Sequence, residues 1–229
     1  MNNIIEFKNV SKQYGCTKKL NVLNKINFNF KKGNIYSLVG PSGSGKSTLL
    51  NLLSLIDRPT SGTIRILNNT INYNRSKDND LLRAKRIGII YQENNLLPDF
   101  TALENVYLAR LAISNNKKKA IYDAFTIINK LGISKRKNHF SNELSGGEIQ
   151  RFAISRALIN SPEIILADEP TGSLDFKNAK EVFKILFKLK NANRLIIFAT
   201  HNRYFANMAD CKIELIDGKI KTINGRFKK

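Results

Sequence analysis

The sequence predicts an α/β protein, a parallel-sheet core interrupted by an all-helical insertion. Three observations carry that expectation. Strongly apolar strips of strand length, such as Ile87–Tyr91 and Leu195–Ala199, and the buried-type run Ile35–Val39 read as strands of a parallel sheet. Helical patterns alternate with them, as in βα units. Between about Glu93 and Ser161 the strand signal disappears and three helical patterns follow one another.

In chain order, Ile4–Val10 alternates loosely and predicts a strand. Ile26–Phe30 alternates Ile and Phe with Asn, a half-buried strand that ends in the turn Lys31-Lys32-Gly33-Asn34. Ile35–Val39 runs into glycines and then into a helical pattern over Ser47–Leu55. Gly62–Leu67 and Ile87–Tyr91 are further strands. Leu103–Ile113, Ala120–Leu131 and Gly147–Ile159 are the helices of the insertion. The strands Glu163–Ala167 and Leu195–Thr200 flank an amphipathic helix, Asn178–Leu189. Its Lys180, Lys184 and Lys188 recur every fourth residue and mark a solvated face. Lys212–Ile216 and Lys219–Ile223 form a hairpin around Asp217-Gly218. There is no internal repeat and no low-complexity linker.

Composition removes several classes. With 229 residues, 42% of them hydrophobic and 24% charged, the chain has enough apolar material for a core and is not of the disordered type. No apolar run approaches the roughly 18 residues of a membrane span, and the start lacks a signal-peptide pattern. Two cysteines, Cys16 and Cys211, make neither a disulfide framework nor a four-ligand zinc site, which predicts a soluble protein of a reducing compartment. The 38 Lys and Arg against 18 Asp and Glu give a net charge of +20. Such a balance suits a polyanionic partner. It also suits an A/T-rich coding bias, given 26 Lys, 12 Arg, 29 Asn and 28 Ile. One stretch stands apart: Phe7 to Ile56 holds eight lysines and no acid.

The chemistry begins at Gly40-Pro41-Ser42-Gly43-Ser44-Gly45-Lys46-Ser47-Thr48, a match to G-x-x-x-x-G-K-[ST] between a predicted strand and a predicted helix. Glycines let backbone N–H groups wrap a phosphate, and the helix start adds the positive end of its dipole. Lys46 suits the β- and γ-phosphates, Ser47 suits Mg²⁺, and Thr48 adds a phosphate contact. Asp168-Glu169 ends an apolar strand, where α/β folds bind ligands. One carboxylate suits Mg²⁺ and the other a general base for water. His201 also follows a strand and is placed to meet a γ-phosphate, whereas His139 lies in a Lys/Asn-rich stretch and reads as structural.

A second helix start, Leu144-Ser145-Gly146-Gly147-Glu148-Ile149-Gln150-Arg151, repeats the phosphate-binding logic about a hundred residues later. Two chains packed head to tail would use both. With Ser173-Leu174-Asp175 and His201, the ordered set strongly resembles the nucleotide-binding subunit of ATP-binding-cassette (ABC) transporters along essentially the whole chain. That resemblance implies a P-loop NTPase fold with an antiparallel β subdomain. It divides the single domain into a RecA-like core of about 1–92 and 162–229 and a helical subdomain of about 93–161. It implies ATP and Mg²⁺ as ligands. Tyr14 then stacks on adenine, and Gln92 senses Mg²⁺ and the attacking water. Asp168 binds Mg²⁺, Glu169 is the catalytic base, and His201 is the switch histidine. Ser145, Gly146 and Gly147 close on the partner's γ-phosphate, with Asp175 in the adjoining loop. The implied partners are a second copy of the chain and separate membrane-spanning permeases, with no specific nucleic acid. The implied location is the cytoplasmic face of the bacterial inner membrane, held peripherally.

Within the family, Tyr91 to Val106, Asp57 to Gly62 and Ala167 to Gly172 resemble the branch that serves lipoprotein release, macrolide export and cell division, with lipoprotein release the nearest. Ile149, Gly33-Asn34 and Glu93-Asn94-Asn95 depart from the usual residues. Leu96, Leu97, Pro98 and Phe100 form an apolar patch that is either packed under the helices or a socket for a partner helix. A soluble nucleic-acid-associated ABC ATPase is the alternative that the charge favours. Such proteins usually carry two cassettes or an extra insertion in one chain, and this sequence has neither.

Overall fold

The computed structural model describes residues 3–15, 17–92 and 95–225. Cys16, Glu93 and Asn94 lie outside the described residues. In chain order the elements are β1 (Asn3–Tyr14), β2 (Leu20–Lys31), β3 (Ile35–Val39), α1 (Lys46–Leu53), β4 (Ser61–Ile66) and β5 (Asn69–Thr70). Then come α2 (Ser76–Arg86), β6 (Ile87–Ile90), α3 (Ala102–Leu111), α4 (Lys117–Lys130), α5 (Gly146–Leu158) and β7 (Ile164–Asp168). The chain closes with α6 (Phe176–Lys188), β8 (Leu195–Ala199), α7 (Arg203–Ala206), β9 (Cys211–Ile216) and β10 (Lys219–Gly225). These group into two compact units, residues 1–80 with 190–229, and residues 81–189.

The first unit holds two sheets. In one, β1 lies between β2 and β4, antiparallel to both, and β5 extends β4. In the other, β3 is parallel to β8 and β9, and β10 closes a hairpin on β9. An aromatic cluster fixes β1 and β2 on β3: Phe7 of β1 meets Phe30 at 6.3 Å between centroids, Phe28 meets Phe30 edge-on at 4.7 Å, and Phe30 meets Tyr36 at 5.2 Å. Edge-on pairs of this kind add about 0.5–1.5 kcal/mol each beyond area burial. Every residue of β8 is buried, as its continuous apolar run predicts.

The second unit pairs β6 with β7 in parallel and packs α3, α4 and α5 around one core. That core contains Val106, Tyr107, Ala120, Ala124, Ile128 and Phe152. Alanines one turn apart on α4 let the larger Val106 and Phe152 side chains of the neighbouring helices share the interior.

Each strand and helix read from the sequence is present, with displaced ends. β1 and β2 run well past their apolar stretches because backbone pairing continues through polar positions; Gln13 pairs with Asn21, and its side-chain Nε2 donates to Asn21 Oδ1 at 2.6 Å. Helix α2 carries no buried residue, so it has no apolar stripe for periodicity to report.

Candidate functional site

In the first unit, β3 delivers the chain to the phosphate loop and α1 begins at Lys46. Gly45, the residue before that helix, has φ of 100°, and a Cβ there would stand 2.9 Å from both Leu23 Cδ2 and Val22 O. Only glycine fits both constraints. Lys46 is 7% exposed and its ammonium bridges the loop, donating to Gly40 O and Pro41 O at 3.0 Å each. Ser44 is buried, and its Oγ has no hydrogen-bond partner among the described residues. A buried hydroxyl without a partner is costly unless a ligand engages it. Together with the free N–H groups at the start of α1, this chemistry fits a phosphate. Ser42, Gly43 and Ser47 are exposed and Thr48 is half-buried.

His201 is exposed just beyond β8. It lines a cavity of about 640 Å³ with Gly40, Pro41, Arg203 and Lys212, so the unit brings the predicted switch histidine beside the start of the phosphate loop. Tyr14 ends β1, is 40% exposed, and donates its hydroxyl to Asp57 Oδ2 at 2.7 Å.

In the second unit, Asp168 is the last residue of β7 and Glu169 follows with φ of 43°. A left-handed conformation is strained for glutamate and is held by its surroundings. The turn closes as Gly172 N donates to Glu169 O at 3.0 Å. A Cβ on Gly172 would stand 3.6 Å from Gln92 Nε2 and 3.7 Å from Glu169 Cβ, so Gln92 and Glu169 flank the same glycine. Gln92, Gly172 and Ser173 also wall a cavity of about 360 Å³ with Leu96 and Ile149.

Ser145 caps α5 through a reciprocal box: Glu148 N donates to Ser145 Oγ at 3.4 Å, and Ser145 N donates to Glu148 Oε2 at 2.9 Å. The Ser145 backbone donor, joined by Arg136 at 3.1 Å, holds the Glu148 carboxyl below its ordinary range. A Cβ on Gly146 would reach 3.1 Å from Leu174 Cδ2, so this glycine allows the turn after β7 to approach α5. Asp175 caps α6, accepting from Asn178 N at 3.0 Å and Lys177 N at 2.9 Å. Its predicted position near nucleotide is therefore also a structural one. The apolar patch divides: Leu96 packs against the helical core, while Leu97 and Phe100 are exposed. His139 bonds to Arg136 in its own loop and accepts from Ala102 N at 2.8 Å, which ties that loop to the start of α3, as a structural residue does.

A family profile described as ABC transporter matches residues 23–172. The chain belongs to the ABC transporter family. It is similar to the lipoprotein-releasing system ATP-binding protein LolD of Rickettsia bellii, 45% identical over 96% of this chain and 98% of that protein. The LolD protein of Cytophaga hutchinsonii is 41% identical over 96% of this chain and its own full length. Among solved structures, a dimeric ATP-binding cassette in a post-hydrolysis state with ADP and Pi matches with a TM-score of 0.90 and 35% identity, covering 96% of this chain and 98% of the other. As an ABC transporter ATPase the chain binds ATP and couples its hydrolysis to transport.

Two groups of side chains escaped sequence reasoning. Asn105, 2% exposed on α3, bonds Leu97 N, Leu97 O, Phe100 O and Thr101 O. Asp57 and Lys12 form an ion pair beside Tyr14. A polar residue inside the apolar face of α3 was the available signal for Asn105; an ion pair between residues 45 positions apart leaves none.

Proposed function

We propose that this ABC ATPase drives the release of lipoproteins from the bacterial inner membrane. The observation that carries this choice among the family's tasks is the 45% identity to a lipoprotein-releasing ATPase along nearly the whole of both chains. Macrolide-type export and cell division are the other tasks of the same branch. In this reading the catalytic core comprises about residues 1–92 and 162–229, and the helical subdomain about 93–161. The phosphate loop binds ATP, with Lys46 leaving its loop carbonyls for the β- and γ-phosphates, and Tyr14 stacks on the adenine. Ser47, Gln92 and Asp168 would hold Mg²⁺, which neutralises charge on the transferring phosphoryl group. Glu169 takes a proton from the attacking water, and His201 meets the γ-phosphate.

Two copies close on two ATP molecules, each presenting Ser145, Gly146 and Gly147 to the other's γ-phosphate with Asp175 beside them. The dimeric form of a structural neighbour supports this arrangement. No helix among the described residues is long and apolar enough to cross a membrane. The pull of closure is therefore delivered to separate membrane-spanning permeases, and the chain sits peripherally on the cytoplasmic face. The test is complementation of cells depleted of their lipoprotein-releasing ATPase. Restored lipoprotein release, together with copurification of the membrane subunits, supports the reading. Failure of release alongside assembly with an export or division permease overturns it. Glu169→Gln should lower ATP turnover at least a hundredfold while an ATP-dependent dimer accumulates on gel filtration, and unchanged turnover refutes the role of Glu169.

A further inference from the structure

At the end of β1, Tyr14 meets Lys12 and Asp57, two residues that the ATPase roles do not include. Asp57 receives Lys12 Nζ at 2.5 Å on Oδ1 and the Tyr14 hydroxyl at 2.7 Å on Oδ2. The Lys12 ammonium also donates to Arg58 O at 2.8 Å and stands 4.6 Å from the centre of the Tyr14 ring. Arg58 N donates back to Asp57 Oδ1 at 2.7 Å. The Lys12 side chain is only 9% exposed, so this is a sheltered network rather than a chance surface pair. Burial raises the Asp57 carboxyl, but the bonds from Lys12 and Tyr14 outweigh it and hold the group below the usual carboxylate range.

The geometry fixes an aromatic ring from two directions. The hydroxyl end is tied to Asp57 and lies near the Thr48 side chain, at the close of the phosphate-loop motif. The ring face is held by the ammonium, whose own position is set by Asp57 and Arg58 O. Tyrosine in solution rotates freely about two side-chain torsions; here both are restrained while 40% of the residue stays exposed. An exposed aromatic surface held rigid beside a phosphate loop is prepared for a flat ligand.

We propose that Asp57 is a positioning residue for the nucleobase. It acts through Lys12 and the Tyr14 hydroxyl to set the ring before ATP arrives. The proposal rests on the reading that Tyr14 carries the adenine. Ordering one such side chain on binding weakens affinity by roughly threefold to tenfold, and the network removes that loss in advance.

The test uses the full chain and compares two ligands of the same loop. ATP carries a base; inorganic tripolyphosphate, assayed as a competitive inhibitor of hydrolysis, does not. Asp57→Asn should raise the KM for ATP about threefold to tenfold with kcat within twofold, and leave the tripolyphosphate inhibition constant unchanged. Tyr14→Phe keeps the ring and the Lys12–Asp57 pair, and should raise the KM for ATP in the same range, so it serves if Asp57→Asn does not fold. Tyr14→Ala should raise it at least as far. If Tyr14→Ala raises KM while Asp57→Asn and Tyr14→Phe leave it within twofold, the positioning role is overturned and the stacking role survives. If Tyr14→Ala has no effect, the stacking role itself falls. A tripolyphosphate constant that rises in step with the KM for ATP assigns Asp57 to folding of the loop and overturns the proposal.

Discussion

Asn105 offers the sharpest test of how the segment after Gln92 is held. Its amide is the hub of residues 97–101: Oδ1 accepts from Leu97 N at 2.7 Å, and Nδ2 donates toward Leu97 O, Phe100 O and Thr101 O, each at 3.1 Å. Two amide hydrogens and one accepted bond make three interactions lost in Asn105→Ala. At about 1 kcal/mol each, that is about 3 kcal/mol. Leu97 and Phe100 are exposed, so their backbone groups can turn to water and add no further penalty. Alanine recovers about 0.5 kcal/mol through its helix propensity. The net loss is about 2–3 kcal/mol, which for a chain of 229 residues lowers Tm by roughly 5–10 °C. Circular dichroism melting measures the shift, and hydrogen exchange at the Leu97 amide reports the local release. Asn105→Leu should behave alike, because it preserves volume and removes only the bonds. A Tm within 1 °C of the parent and unchanged Leu97 protection would refute the reasoning.

Two further outcomes follow from titratable groups. The Thr101 backbone N–H, joined by the Thr101 hydroxyl, holds Glu104 below its ordinary range at the start of α3. A depressed carboxylate stabilises the fold above its unfolded pKa and loses that contribution as pH falls through the folded value. Glu104→Gln should therefore cost about 0.5–1 kcal/mol at pH 7, and the gap to the parent should narrow as the pH falls below the ordinary glutamate range, read from urea midpoints. Burial pushes the Cys211 thiol up to about 11, so at pH 8 its thiolate fraction is roughly two hundredfold below that of a free cysteine. In a Cys16→Ser background, iodoacetamide should label the folded chain at least a hundredfold more slowly than the urea-unfolded one; equal rates would contradict the burial.

The parts legible in the sequence were those that repeat a local physical rule. A parallel strand covered on both faces is predominantly apolar, so β3, β7 and β8 announced themselves despite Ser37 and the terminal Asp168. The phosphate loop needs glycine where φ is positive and a lysine at the helix start, which fixes a spacing visible in one dimension. Helix α2 was invisible because it buries nothing. Asp57 was read only as part of a stretch typical of the family branch, since its partners Lys12 and Tyr14 reach it from another strand. Asp175 shows the converse: a residue picked for its place in a motif also caps α6. Sequence pattern reports chain-local geometry well and side-chain convergence poorly.

The left-handed backbone of Glu169 carries a cost in strain. With Glu169 as the proposed base, a glycine there would relieve the strain and leave a sturdier protein without that base. On that role, screens that reward yield or heat tolerance alone would drift toward inactive chains at this one codon. A library of this protein has to be sorted on turnover first and robustness second.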